Sequence, residues 1–364
     1  MTPLALVLAL AAGAPEGLHS RLPPPPVALY RVAWRRPLVE PGALETAPLE
    51  LGGTAADPAT GIAFCGTRDG WFHAVRPDGT VAWEFKADGP FTAPPAIDGD
   101  TVYAGSADGR LYAFAVATGK ERWRYDGQEE MGTRPLIAGG TVFVMSLQNT
   151  LFAIDARTGA WKWHHRRKGR EGFSIRGAAG AVARGGTVYA AYSDGFIAAL
   201  GAANGQVRWE RQVAPAGDYL DVDGLQVEGS RLYAAAYSGA VLALDAENGA
   251  PVWAFRAPTA SRVALGDGLV VAVTASEVYG LSSSTGQVVW SSPLGGAPGA
   301  DPVFAGRWLV VPAVQGGLRF LEAATGRTLR VLDPGSGVAG APGLNGGRIY
   351  VLSNVGDLFA IDLS

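Results

Sequence analysis

A single cysteine, Cys65, is all the thiol chemistry available to this chain of 364 residues. That excludes an internal disulfide and any cysteine-based metal cluster, and a small buried strand residue is the ordinary role for such a thiol. Charge is scarce and nearly balanced: 17% of residues are charged and the net charge is −3, which offers no electrostatic footprint for nucleic acid. Long apolar runs are missing, and no segment reaches the length needed to span a bilayer. No Gly-x-Ser-x-Gly elbow, phosphate-cradling loop or Cys/His nucleophile pair occurs. Glycine pairs such as Gly185-Gly186 and Gly346-Gly347 read as hairpin turns. Turn formers are plentiful instead, with 51 Gly and 24 Pro among many short Val/Tyr/Phe/Leu runs. With 48% hydrophobic residues, this composition predicts an all-β chain with a large core.

The first 26 residues read differently from the rest. Residues 4–12 (LALVLALAA) form a short apolar run, and Ala9-Leu10-Ala11 is similar to a signal-peptidase site, although no Lys or Arg precedes the run. Pro23 to Pro26 then form a stiff polyproline stretch. The expected organisation is a signal-like leader and Pro-rich linker over 1–26, followed by one folded unit over 27–364.

Within that unit one motif recurs: a strand, a Thr-Gly, Asn-Gly or Asp-Gly turn, and a second strand with Trp four residues after the glycine. Copies occupy residues 71–83, 111–123, 151–163, 196–209, 241–253 and 278–290. A seventh, at 318–330, has Arg330 in place of Trp. The turn glycines, Gly79 to Gly326, recur about every 41 residues, the period of a four-stranded propeller blade. Alternating apolar residues mark strands with one buried face, and glycine supplies the positive φ of the turn. Two weaker strands precede each motif, as in FTAPPAI and TVYAGSADG of the second copy. A lone twisted sheet of this size cannot cover both of its faces, so neighbours stack and a closed ring removes the open ends.

The two chain ends predict how the ring closes. Residues 348–364 start an eighth motif that stops at Asp362, before a turn or a Trp, whereas residues 29–36 are a Trp-bearing strand with no motif before it. Joined, they make one blade. The predicted fold is an all-β, eight-bladed β-propeller whose N-terminal strand completes the last blade.

The pattern A-x-D-x-x-T-G-x-x-x-W resembles the PQQ-type propeller repeat. In that family the Trp packs flat on the next blade, which implies a structural, blade-docking role for Trp34, Trp83, Trp123, Trp163, Trp209, Trp253 and Trp290. The quinoprotein dehydrogenases that share this repeat are much longer and use a vicinal cysteine pair, calcium ligands and a channel-facing carboxylate. One cysteine and no acidic cluster with calcium-loop spacing point to a chain without quinone cofactor, metal or catalysis.

Two irregular stretches resemble the BamB family, propeller lipoproteins of the outer-membrane β-barrel assembly machinery. Phe173-Ser174-Ile175-Arg176-Gly177 is similar to that family's Leu-x-Leu-Arg-Gly. Tyr219-Leu220-Asp221-Val222-Asp223 is similar to its Arg-Leu-x-Asp-Val-Asp, one residue shorter. In the family these connections bind a periplasmic POTRA repeat of the barrel subunit. The resemblance implies Phe173 and Ile175 as apolar anchors, Arg176 as the charged contact, and Asp221 and Asp223 as acidic residues beside it. It also implies a periplasmic protein at the inner leaflet of the outer membrane, monomeric outside its complex, although no lipidation cysteine follows the leader. A dehydrogenase-like enzyme and a ligand-binding or sensor propeller are the alternatives. Beside the first stretch, His164, His165, Arg166, Arg167, Lys168 and Arg170 form the one basic run, expected to be a solvated loop able to steer an acidic partner. Its two histidines point to opposite faces of any strand and cannot share one ion.

Overall fold

The computed structural model describes residues 29–40, 42, 48–167, 179–214, 222–237 and 239–364. In these residues 32 strands form eight four-stranded antiparallel sheets, each in simple meander order, arranged as the blades of a propeller. Among the described residues no helix is long and apolar enough to cross a membrane. The first strand of each blade lines a central channel, and the fourth is outermost. Blades 1 to 7 comprise residues 54–86, 96–126, 136–166, 182–212, 222–256, 262–293 and 303–332.

Blade 8 is the split one. Its three inner strands are Gly343–Asn345, Arg348–Leu352 and Asp357–Leu363, and Tyr30–Pro37 from the start of the chain is its outermost strand. Pairing runs from Tyr30 opposite Leu363 to Pro37 opposite Asp357. Arg31 bonds Asp362 at 2.8 Å and Arg35 bonds Asp357 at 2.6 Å across this closure. The predicted count of eight and the predicted closure are both what the structure has.

Eight hydrophobic clusters, each drawn from two neighbouring blades, fill the seams of the ring. The motif explains how a seam is built. Each repeat Trp lies over the turn glycine of the next blade and donates its indole N–H to a carbonyl just before that glycine. Trp34 bonds Pro77 O at 2.8 Å, Trp123 bonds Ala156 O at 3.0 Å and Trp290 bonds Ala323 O at 2.9 Å; Trp83, Trp163, Trp209 and Trp253 do the same. These seven glycines have φ of 69–86°, and a Cβ on any of them would sit 2.2–3.2 Å from an indole carbon. Glycine is thus required twice, for backbone conformation and for room. Directly opposite each Trp in its own sheet stands a small residue: Ala360, Ala74, Ala113, Ala153, Ala199, Ala243 and Gly280.

Blade 7 departs from this scheme for a reason the ring makes plain. Its fourth strand faces blade 8, whose two outer strands, Asp357–Leu363 and Tyr30–Pro37, are not joined by a hairpin turn, so no turn glycine stands there for a Trp to cover. Arg330 stands there, exposed, and the residue opposite it is Phe320 where the other blades have Ala or Gly. Phe320 is fully buried and stacks on Tyr30 of the closing strand, with centroids 5.0 Å apart and planes at 21°. The large side chain has moved across the sheet. Arg330→Ala is therefore expected to change stability by less than about 0.5 kcal/mol, measured by urea denaturation; a loss of 2 kcal/mol would show that Arg330 has taken over the Trp role.

Candidate partner-docking surface

Of the residues implied as docking contacts, Phe173, Ile175, Arg176 and Asp221 lie outside the described residues, as does the segment 168–178. Their anchorage on the scaffold is described. The connection 168–178 leaves the fourth strand of blade 3 (Trp161–Arg166) and the connection 215–221 leaves that of blade 4 (Val207–Gln212). Where the chain re-enters the described fold, Ala179 N–H donates to Val222 O at 3.3 Å. The two connections thus return to the scaffold side by side, where blades 4 and 5 begin.

Their departure points are joined as well. Arg167, the last described residue before the first connection, donates to Asp194 at 2.7 Å and to Glu210 at 2.6 Å. Its guanidinium carbon lies 4.1 Å from the centroid of the Phe196 ring, a cation–π contact. Burial works against its charge, but the hydrogen bonds to Asp194 and Glu210 outweigh that and hold Arg167 above its usual pKa. Past Glu210, the backbone N–H groups of Val213 and Ala214 both donate to Gly195 O, just before the second connection.

For His164 to Arg167 this corrects the expectation of a solvated basic loop; Lys168 and Arg170 lie outside the described residues. His164, His165 and Arg166 belong to a strand, and Arg166 pairs with Glu129 at 3.2 Å. His165 Nδ1 meets the hydroxyl of buried Tyr192 at 2.7 Å, and burial holds its pKa below the ordinary value despite the attraction of Glu210. Charges committed to internal pairs contribute little to steering; here they brace the root of a connection. Sequence reading missed this because Glu210 lies 43 residues from Arg167, and no local spacing marks the pair.

Asp223 is the described member of the implied set. It sits at a bulge in the first strand of blade 5, is 7% exposed, and lines the central channel, a cavity of about 1040 Å³. Its carbonyl accepts a bond from Arg262 of blade 6 at 3.4 Å. Of the implied acidic pair, Asp223 is therefore turned into the channel wall and not onto an open face. Among the described residues no group of three or more His, Cys, Asp or Glu is placed to hold a metal ion.

With the ring and the rooted connections in place, comparison with known proteins is informative. The family described as outer membrane protein assembly factor BamB matches residues 68–292 and 274–364. The chain belongs to the BamB family. Among solved structures, BamB from Moraxella catarrhalis superposes with a TM-score of 0.79 at 23% identity, covering 92% of this chain and all of that one. A europium-containing methanol dehydrogenase is similar with a TM-score of 0.73 at 14% identity, covering 92% of this chain and 93% of that one. The quinohemoprotein alcohol dehydrogenase from Comamonas testosteroni gives 0.71 at 17%, covering 92% and 76%. At such identities the likenesses report a shared propeller and nothing about chemistry. No curated protein matches the sequence significantly.

Proposed function

We propose that this BamB-family propeller is a non-catalytic periplasmic scaffold of the outer-membrane β-barrel assembly machinery. It docks a POTRA repeat of the barrel subunit through Phe173, Ile175 and Arg176, with Asp221 beside them. The observation that carries this reading is the common rooting of the two connections, tied by Ala179 to Val222 and braced by Arg167 on Glu210 and Asp194. A rigid base under two adjacent connections lets one partner engage both without a large ordering cost. An arginine flanked by apolar anchors has the make-up of an interface hot spot, and its fork suits a carboxylate or a pair of carbonyls.

The test is binding of purified POTRA repeats to the whole chain. Arg176→Ala is expected to weaken binding about thirtyfold or more, the equivalent of the roughly 2 kcal/mol typical of a hot spot. Arg330→Ala, on the far side of the ring, should bind as wild type does. Undiminished binding by Arg176→Ala would remove this residue from the interface.

A further inference from the structure

The hairpin turn between the second and third strands recurs from blade to blade and so supplies its own reference. In blades 1, 2, 3, 4 and 8 the fourth residue of this turn donates its N–H to the carbonyl of the first. The pairs are Gly70 to Thr67, Gly109 to Ser106, Asn149 to Ser146, Gly195 to Tyr192 and Gly356 to Ser353. The four glycines have φ of 83–92°. Blade 3 has Asn149 instead, at φ 62°, in the left-handed region that suits glycine. At the second position of the turn blades 1, 2, 4 and 8 carry Arg68, Ala107, Ser193 and Asn354, whereas blade 3 carries Leu147, 42% exposed. The turn Ser146 to Asn149 therefore departs from the repeat at two places.

Both departures are tied to the first connection. Asn149 is buried and reaches blade 4, where its Nδ2–H donates to Ser193 Oγ at 2.6 Å and its Oδ1 accepts the Ser193 N–H at 3.0 Å. Its carbonyl accepts the N–H of Arg167 at 3.2 Å, at the root of connection 168–178. Ser146 Oγ–H donates to Glu129 at 2.6 Å, and Glu129 pairs with Arg166 of the same root. Leu147 N–H donates to Glu130 O at 3.0 Å. Turn and root are thus one bonded unit. The Leu147 side chain lies over Gly132, where a Cβ would come within 2.3 Å of it, and lines the channel there. An exposed leucine is ordinary by itself. This one is fixed to the root of a connection, at a position where the sister turns hold small or polar residues, and the repeat does not require it.

We propose that the blade 3 turn is a third element of the docking surface. Leu147 contacts the POTRA repeat bound by the connections 168–178 and 215–221, and Asn149 is a positioning residue that holds the turn against blade 4. The proposal rests on the docking reading above and extends it. The occupant follows from continuity, because the turn is bonded to the residues from which the first connection leaves. A side chain already fixed by its turn loses little freedom when a partner covers it. The apolar area that Leu147 leaves in solvent is then available for binding.

The test measures binding of purified POTRA repeats to variants of the full chain, each shown to be folded by urea denaturation. Leu147→Ala is expected to weaken binding about fivefold or more, and Leu147→Met, which keeps the apolar contact, to bind as wild type does. Asn149→Gly restores the residue of the sister turns and suits the backbone; without the bonds to Ser193 it should bind about threefold more weakly. Leu51, 46% exposed, lines the channel before the first strand of blade 1, and Leu51→Ala should stay within about twofold of wild type. A merely structural Asn149 would shift the urea midpoint and leave the affinity of the folded protein unchanged. Wild-type affinity in Leu147→Ala or in Asn149→Gly, or equal losses in Leu147→Ala and Leu51→Ala, would each overturn the proposal. If Arg176→Ala is weakened in that same series, the docking reading stands without the turn. Loss in Leu147→Ala and Asn149→Gly beside full affinity in Arg176→Ala supports the turn and removes Arg176.

Discussion

Trp123→Ala is expected to destabilise the propeller by about 3–5 kcal/mol, the usual cost of deleting a large buried aromatic. Trp123 is 8% exposed, packs on Tyr103 with centroids 5.7 Å apart, and bonds Ala156 O, a carbonyl that Tyr103 Oη–H also reaches at 3.1 Å. Its removal opens the seam between blades 2 and 3 and takes away one of the donors to that carbonyl. The partner position gives an independent check. A Cβ on Gly159 would lie 2.7 Å from the indole, and its φ is +74°. Gly159→Ala is expected to cost at least about 1 kcal/mol from the backbone conformation alone and more from the clash. In a Trp123→Ala background the clash component disappears and only the backbone cost remains. A double-mutant cycle by urea denaturation measures that coupling. Strict additivity, or a Trp123→Ala cost below about 1 kcal/mol, would mean that the Trp-on-Gly contact does not hold the seams.

The second large effect concerns pH. Glu50 is completely buried just before the first strand of blade 1, where it accepts hydrogen bonds from the backbone N–H of Arg68, at 2.9 Å, and from its guanidinium. Burial is the largest influence and pushes its pKa up from about 4.5 to about 7; the bonds and charge of Arg68 oppose the rise, and Asp69 adds to it. Burial prevails because the Glu50 carboxylate has lost all of its water, whereas the Arg68 side chain keeps 20% of its surface in solvent. The folded state, with the higher pKa, therefore holds a proton that the unfolded chain has already released between pH of about 4.5 and 7. Stability falls as pH rises through that window, by about 3 kcal/mol from this group. Glutamine imitates the protonated acid, so Glu50→Gln should match wild type near pH 4.5 and exceed it by that amount near pH 8. Stability curves of both proteins across this range provide the measurement. A constant difference, or one that favours wild type increasingly at high pH, would show that Arg68 prevails over burial.

Much of this was readable from one-dimensional pattern because a repeat exposes its own rules. The turn glycine, the Trp four residues later and the alternation of the strands are local features; seven copies state the glycine and the alternation, and six of them the Trp. The incomplete motif at one end and the orphan Trp strand at the other announced the closure. One legible signal was passed over: Phe320 stands where six other hairpins within a blade have Ala or Gly, and with Arg330 it marks the seam that has no turn to dock on. The docking stretches were recognisable as breaks in the repeat, but their bracing was not. Arg167 finds Glu210 only because blade 3 abuts blade 4, and Asp223 lines the channel at a register shift that no local spacing marks.

By itself, then, the order of residues determined the blade, the number of blades and the way the ring is sealed, since each depends on contacts within about one repeat or on what the two termini lack. Tertiary structure alone decided which charges meet. Arg167 and Glu210 are 43 positions apart, and they meet because blade 3 abuts blade 4 in the ring. Which blades abut is a property of no single repeat, and it decides which charges can meet.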